Sequence, residues 1–246
     1  MAKVRSWAGL DVHAPKVIAC VVDGESGEMR VYRLPGETAA VVAFCAGLPR
    51  PTRVAYEAGP TGFGLARALT AAGVDCVVAA PGKIERPFQD RIQNDVRDSE
   101  HLVRLSMIAA LHPVGVPTPA EEAARDLVRA REDLRGDVMR ARHRLSKLLL
   151  RHDVRYENTT RRWGRRHRDW LAKIDLGQPG AQLTLTEYVG AVNALDIRRQ
   201  ALEAAIGEQV TGSRWATDVA RLRCLRGIDI LSAIGLALEV GDFARF

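Results

Sequence analysis

Four carboxylates in this 246-residue chain stand where chemistry can be built. Asp11 ends the apolar run Trp7-Ala8-Gly9-Leu10, and Glu57 ends Arg53-Val54-Ala55-Tyr56. Asp95 and Asp98 lie three apart in Asn94-Asp95-Val96-Arg97-Asp98, a spacing that puts both on one face of a helix. Carboxylate oxygens are the ligands that hard divalent ions such as Mg²⁺ prefer. Four of them, drawn from two strands and a helix, can hold two such ions. A pair about 4 Å apart activates a nucleophile and stabilises a leaving oxygen in phosphodiester displacement. Each acid alone has a plainer explanation. Acids at a helix start are favoured by the helix dipole, and Glu57 before Gly59-Pro60 is also an ordinary strand end. The ordered set of Asp, Glu and Asp-x-x-Asp carries the reading. His13, beside Asp11, can orient a water or contact a phosphate, or serve as a structural strand-end residue.

A second constellation is basic. Between Arg140 and Arg168 stand eleven cationic side chains: Arg140, Arg142, Arg144, Lys147, Arg151, Arg155, Arg161, Arg162, Arg165, Arg166 and Arg168. Two acids, Asp153 and Glu157, oppose them, so the local net charge of +9 exceeds the +6 of the whole chain. Tyr156, Trp163, His167 and Trp170 interleave with the cations. Lys and Arg neutralise phosphates, and aromatic rings stack on unpaired bases. A solvated helix face is the usual account of a charge run, but such a face mixes signs, and the imbalance here weakens that account. The segment reads as nucleic-acid-binding, with nothing in it that separates DNA from RNA.

The acids need a scaffold that brings two strand ends and a helix together. Residues 5–13 and 16–23, turned at Ala14-Pro15, predict an opening hairpin, and 28–34 a third strand. A helix from Ala39 to about Gly47, the breaker Pro49-Arg50-Pro51, a strand at 53–57, a helix over 63–72 and an apolar strand at 74–80 follow. Unbroken apolar runs at 17–22 and 76–80 suit central strands covered on both faces. The expectation is an α/β domain over residues 1–112, a mixed sheet carrying helices. Its last helix, following Asp98, puts Leu102, Leu105, Ile108 and Ala109 on one face. Gly59-Pro60-Thr61-Gly62-Phe63-Gly64 lacks the Gly-Lys-Ser/Thr ending of a phosphate loop and reads as a turn into a helix.

Three prolines in 113–119 mark a domain boundary. Beyond it, a long helix from Glu121 to about Arg151 carries Leu127, Leu134, Val138, Ala141, Leu145 and Leu148 in steps of three and four, a coiled-coil-like stripe with Arg131 its one break. A second helix, about Leu185 to Val210, has Val189, Val192, Leu195, Leu202 and Ile206 on its stripe, with 155–180 between them as a basic loop. The two can pair as an antiparallel hairpin or with another subunit. Together they make a helical nucleic-acid-binding and dimerising region over 113–213. Residues 214–246 read as helix, glycine turn and helix, the incomplete beginning of a further domain, with Ser232 packed inside the last helix.

Composition bounds the classes. Hydrophobic residues at 47% support a substantial core, and no apolar run approaches a membrane span. The amino terminus leads directly into a strand, without a secretory signal. Cys20, Cys45, Cys76 and Cys224 are far apart and three lie in apolar runs, which excludes a CxxC-type zinc site and fits reduced, buried thiols in a cytosolic protein.

Gly9-Leu10-Asp11-Val12-His13, Tyr56-Glu57-Ala58-Gly59-Pro60-Thr61-Gly62, Asn94-Asp95-Val96-Arg97-Asp98, Ala141-Arg142-His143-Arg144-Leu145 and Leu225-Arg226-Gly227-Ile228-Asp229 through Gly241-Asp242-Phe243 together resemble the DEDD transposases of the insertion-sequence-110 family, RNA-guided recombinases. The resemblance covers essentially the whole chain. It implies a ribonuclease-H-like (RuvC-like) domain, then a long coiled-coil region, then the start of a helix-hairpin-helix-like domain. It implies that Asp11, Glu57, Asp95 and Asp98 are catalytic ligands of two Mg²⁺ ions. Its implied partners are DNA, a structured guide RNA and further copies of the chain, as a dimer or tetramer through the long helices. No membrane is involved, and the location is the bacterial cytoplasm at the nucleoid. The sequence departs from the family pattern at Gln93 (usually Lys), Val96 (Arg), Ser99 (Ala) and in Arg226-Gly227-Ile228-Asp229 (Pro-Gly-Ile-Gly).

The family's second centre, a nucleophilic serine downstream of the segment equivalent to Gly241-Asp242-Phe243, has no counterpart here, so the chain reads as a fragment or decayed copy that does not complete recombination alone. The alternatives are a stand-alone junction resolvase or nuclease on the same fold, and a non-catalytic nucleic-acid-binding remnant. An actin-like sugar kinase shares the Gly-Leu-Asp-Val opening but needs a second phosphate-binding glycine motif and has no use for the arginine-rich helix. Neutralising Arg161, Arg162, Arg165 and Arg166 together is expected to weaken nucleic-acid binding and flatten its dependence on salt. The measurement is the slope of log K against log salt; an unchanged slope places the contact elsewhere.

Overall fold

The structure, a computed structural model, describes residues 3–84, 94–157 and 162–243. The chain divides into two compact units, one ending at Pro117 and the other beginning at Thr118.

The first unit is built on five strands, β1 (Ser6–Val12), β2 (Lys16–Asp23), β3 (Met29–Pro35), β4 (Thr52–Glu57) and β5 (Asp75–Ala79), in the order β3-β2-β1-β4-β5. β1, β2 and β3 form an antiparallel meander, while β4 runs parallel to both β1 and β5. Parallel neighbours need crossovers, and α1 (Thr38–Ala46) and α2 (Gly64–Ala71) supply them. This mixed sheet is compatible with a ribonuclease-H-like fold.

Side chains alternate across the sheet with period two. Ala8 and Leu10 of β1, Val17, Ala19 and Val21 of β2, and Val54 and Tyr56 of β4 form the core shared with Val41 and Cys45 of α1 and Leu65, Ala66 and Leu69 of α2. The Tyr56 hydroxyl accepts the Ala66 N–H at 3.2 Å, so its buried polar end is satisfied. The residues between these point to the other face. There α3 (Asp95–Met107) packs on β1 and β2, with Val103 against Cys20 and Val22. Asn94 caps α3, its side chain accepting the Val96 N–H. The buried face of α3 is Ser99, Leu102, Val103 and Ser106. This corrects the stripe read from sequence: Ile108 is 73% exposed, because the helix ends at Met107 before its turn is completed. At Ser99 and Val103 the backbone of α3 lies close to β1. A Cβ added at Gly9 would sit 2.2 Å from the Ser99 carbonyl oxygen and 2.7 Å from the Val103 nitrogen.

The second unit holds α4 (Pro119–Arg151), α5 (Arg165–Leu171), α6 (Pro179–Val210), α7 (Ala216–Leu222) and α8 (Ile230–Val240). Thr118 and Glu121 form a capping box with Pro119 in the first turn, so α4 begins two residues before the expected Glu121. The end of α4 (Ala141, Leu145, Leu148) packs with the start of α6 (Leu185, Val192), while Ala124 near its start packs with Ile206 and Val210 near the end of α6. The two helices are therefore antiparallel partners within one chain. Arg131 is no break in their seam. It spans the pair to Glu203 of α6 at 2.5 Å.

Three further expectations are corrected. The basic stretch 155–180 is not all loop: Gly164 opens α5, and α6 starts at Pro179, six residues early, on a proline suited to a first turn. Ser232 is exposed rather than packed, lying in the first turn of α8 with its N–H donated to Asp229. Asp229, where the family pattern has glycine, is thus the cap of α8. Among the thiols, Cys20 and Cys45 are buried, Cys76 half-buried and Cys224 exposed. Among the described residues, no helix is long and apolar enough to cross a membrane.

Gly9→Ala is expected to destabilise the first unit by on the order of 3 kcal/mol, since backbone atoms rather than flexible side chains stand in the way. Chemical denaturation measures it; a change within about 0.5 kcal/mol of the parent overturns the close approach.

Candidate metal centre and nucleic-acid interface

The acids assemble by strand parity. β1 and β4 are parallel and in register from Ser6–Thr52 to Leu10–Tyr56, so Asp11 and Glu57 follow as neighbours at the same sheet edge. Leu10 and Tyr56 face the α1/α2 core, so Asp11 and Glu57 face the side that α3 covers. Asp95 and Asp98 occupy the first turn of α3, at the end nearest that edge.

Asp11 and Asp95 come close enough to share a cation. With His13 they offer ligand atoms that all lie within 4.8 Å of one another. His13 Nε2 is 3.1 Å from Asp11 Oδ2 and 4.0 Å from Asp95 Oδ1. Lys16, the first residue of β2, donates from Nζ to Asp95 Oδ2 at 2.5 Å. Partial burial raises the Asp11 carboxyl above its ordinary pKa; His13 pulls it down, and the negative charges of Asp95 and Asp98 push it further up. The Asp95 carboxyl is lowered, first by the Lys16 hydrogen bond. Like charges gathered at one edge thus carry their own counter-charges. The donor set, carboxylates with one imidazole, fits a hard divalent cation.

Sequence reading left His13 with two meanings; the geometry brings it into the cluster. Lys16 it missed altogether. The available signal was a lone cation one turn after Asp-x-His, at the mouth of the same hairpin.

The sequence model of a DEDD transposase family of insertion-sequence-110 type, described as a transposase, matches residues 8–152. The chain belongs to that family. It is 32% identical over 249 residues to the transposase for insertion sequence element IS1533 of Leptospira borgpetersenii, covering 98% of this chain and 71% of that protein. It is 35% identical over 253 residues to the putative transposase y4qE of Sinorhizobium fredii (strain NBRC 101917 / NGR234), again over 98% of this chain but 60% of the relative. A second protein of that strain, the putative transposase y4rJ, is 31% identical over 63% of the chain and 43% of its own length. Family membership makes an insertion-sequence DNA-recombining enzyme the general class, and divalent-metal use accords with the acidic cluster.

In the second unit the basic residues separate into two sets. Asp196 of α6 is buried, with Arg168 at 2.6 Å, Arg199 at 2.9 Å and Arg142 at 3.6 Å. Burial alone would raise the Asp196 carboxyl, but the three guanidiniums more than reverse that and hold it below its usual range. Arg140 pairs with Asp137 and Arg155 with Asp153. Arg144, Lys147, Arg151, Arg162, Arg165 and Arg166 are exposed, and no carboxylate among the described residues is within ion-pair distance of them. Arg161 lies outside the described residues.

The aromatics read from sequence as base-stacking rings are spent largely on one another. His167 touches Tyr156, Trp163 and Trp170 at centroid distances of 4.7, 4.9 and 5.4 Å, and the Arg142 guanidinium lies 4.8 Å over Trp163. His167 is buried, with no hydrogen-bond partner at Nδ1 among the described residues. Burial first, then Arg162 and Arg142, lower its pKa below the ordinary value.

A histidine whose folded pKa is depressed leaves stability intact above the unfolded value of about 6.5 and removes it as pH falls below that, because the unfolded chain takes up the proton first. Thermal unfolding between pH 7.5 and 5.5 is expected to show His167→Phe losing less stability on acidification than the parent. Parallel pH profiles overturn the assignment.

Proposed function

We propose that this chain supplies the metal-dependent DNA-cleaving centre of an insertion-sequence transposase, acting in cleavage and strand transfer. The observation that carries the reading is the convergence of Asp11 and Asp95 with His13 within 4.8 Å, at the sheet edge where Glu57 ends the neighbouring strand and Asp98 shares the first turn of α3. Asp11, Glu57, Asp95 and Asp98 would hold the metal, Mg²⁺ by its preference for carboxylate oxygens, with two ions as the expected number. Bound there, divalent cations supply Lewis-acid stabilisation of the oxygens that attack and leave in phosphodiester displacement.

The remaining work belongs to the chain itself. The β1–β4 register and the cap at Asn94 hold the carboxylates before any ligand arrives, so little ordering is needed on binding. Lys16 and His13 balance the acids in the absence of a cation, and a cation that takes Asp95 competes with the Lys16 hydrogen bond. Lys16, once displaced, is a cation beside a site for a phosphodiester.

The exposed cations of the second unit are the proposed nucleic-acid contact, with DNA as substrate and, from the family resemblance, a structured guide RNA as second partner. Self-association through the long helices is supported by the outward face of α6, where Leu183 and Ile197 are 64% and 67% exposed.

Asp11→Asn is expected to lower cleavage of duplex DNA in Mg²⁺ by at least about 100-fold, while leaving nucleic-acid binding within about twofold. Gel-based cleavage and fluorescence anisotropy read the two quantities. Retained cleavage sinks the assignment, and equal loss of binding turns it into a structural role.

A further inference from the structure

The cations of α4 are not used alike along its length. From its start to Arg142 each arginine is engaged. Arg125 donates to the Leu238 carbonyl, Arg129 forks onto Glu239, Arg131 bonds Glu203, and Arg135, Arg140 and Arg142 pair with Glu132, Asp137 and Asp196. After Arg142 the pattern stops. Arg144, Lys147 and Arg151 are exposed, with no carboxylate among the described residues in ion-pair reach. Lys147 lies three residues after Arg144 and four before Arg151 on the same helix, so the three like charges stand side by side and repel one another.

These exposed side chains share one place on the surface. With His143 and with Tyr188 of α6 they line one open hollow of about 260 Å³. Arg144 to Arg151 spans about 10.5 Å of helix axis. That length lets the stripe meet more than one phosphate of the same strand.

We propose that this hollow is a phosphate-tracking site for the nucleic-acid backbone, bounded by Arg144, Lys147 and Arg151, while Arg142 and Arg168 belong to the fold. The proposal rests on the nucleic-acid-binding reading above and locates it. A polyanion relieves the repulsion that the folded protein otherwise sustains. Tyr188, partly buried against the α4–α6 core, lines the hollow, and its remaining surface is the place where an unpaired base would stack.

The test uses the full 246-residue chain and labelled 30-nucleotide probes, as duplex DNA, single-stranded DNA and single-stranded RNA, with anisotropy read from 50 to 300 mM salt. The triple substitution R144Q/K147Q/R151Q is expected to make the duplex log–log salt slope shallower by about 2.7, three charges at about 0.9 each. R129Q/R135Q, which removes two paired arginines of the same helix, is expected to leave that slope unchanged. Thermal unfolding of each variant confirms that the fold is retained. Tyr188→Leu is expected to weaken the single strands about tenfold and the duplex little; equal effects on both overturn the role given to its ring. Salt-dependent binding by the parent with the same slope in the triple variant overturns this site alone. No binding by the parent to any probe overturns both this site and the reading beneath it.

Discussion

At Gly9 the backbone of β1 lies against the backbone of α3 with no room for a side chain between them. The rest of the acidic site depends on that contact. It fixes how far α3 can stand from the sheet, with Ser99 and Val103 at the point of contact. Ser99 pays no penalty for being fully buried, since its hydroxyl donates to the Val96 carbonyl within its own helix. Two residues beyond Gly9 on the same face of β1 is Asp11; one turn before Ser99 on α3 is Asp95. A strand of period two and a helix of period 3.6, locked at one point, bring their acids together at the next.

Assembling carboxylates this way is unfavourable without compensation. The raised Asp11 and lowered Asp95 express the two halves of that balance, one carboxylate partly withdrawn from water and the other held by a cation. Lys16 and His13 come from the same hairpin as Asp11, so the counter-charge is local and forms with the strand pair that makes the site.

Much of the first unit was legible because its signals are local. Apolar runs bounded by turns gave the strands of the meander, and Asp11, Glu57, Asp95 and Asp98 could each be placed at an element end. What the sequence could not carry was distance. Lys16 and His13 could be tied to Asp11 through their shared hairpin, but not to Asp95, some eighty residues on, because that contact is made by tertiary packing. The face of α3 was misread because hydrophobicity extended the stripe to Ile108, whereas the helix ends at Met107 and buries Ser99 and Ser106 beside Leu102 and Val103. In the second unit the error was compositional. A dense arginine run looked like loop, yet Gly164 and the ring cluster around His167 make α5 a helix.

Arginine density also conceals a division of labour. Asp196 is a buried carboxylate facing Arg142, Arg168 and Arg199, and Arg199 reaches on to Glu203, which Arg131 also bonds. Apolar replacements of such a buried network are often no less stable, whereas removing one partner is costly. Its consequence here is registration: one carboxylate pins α4, α5 and α6 through a guanidinium from each. The network carries four arginines for two acids, and Arg142 spends its surplus on the face of Trp163. Counting charge along the sequence treats all these arginines as equal. Their partners distinguish them: those facing Asp196 and Glu203 define how the helices sit, and those past Arg142 on the exposed side of α4 have only solvent, or an anion brought to them, to answer their charge.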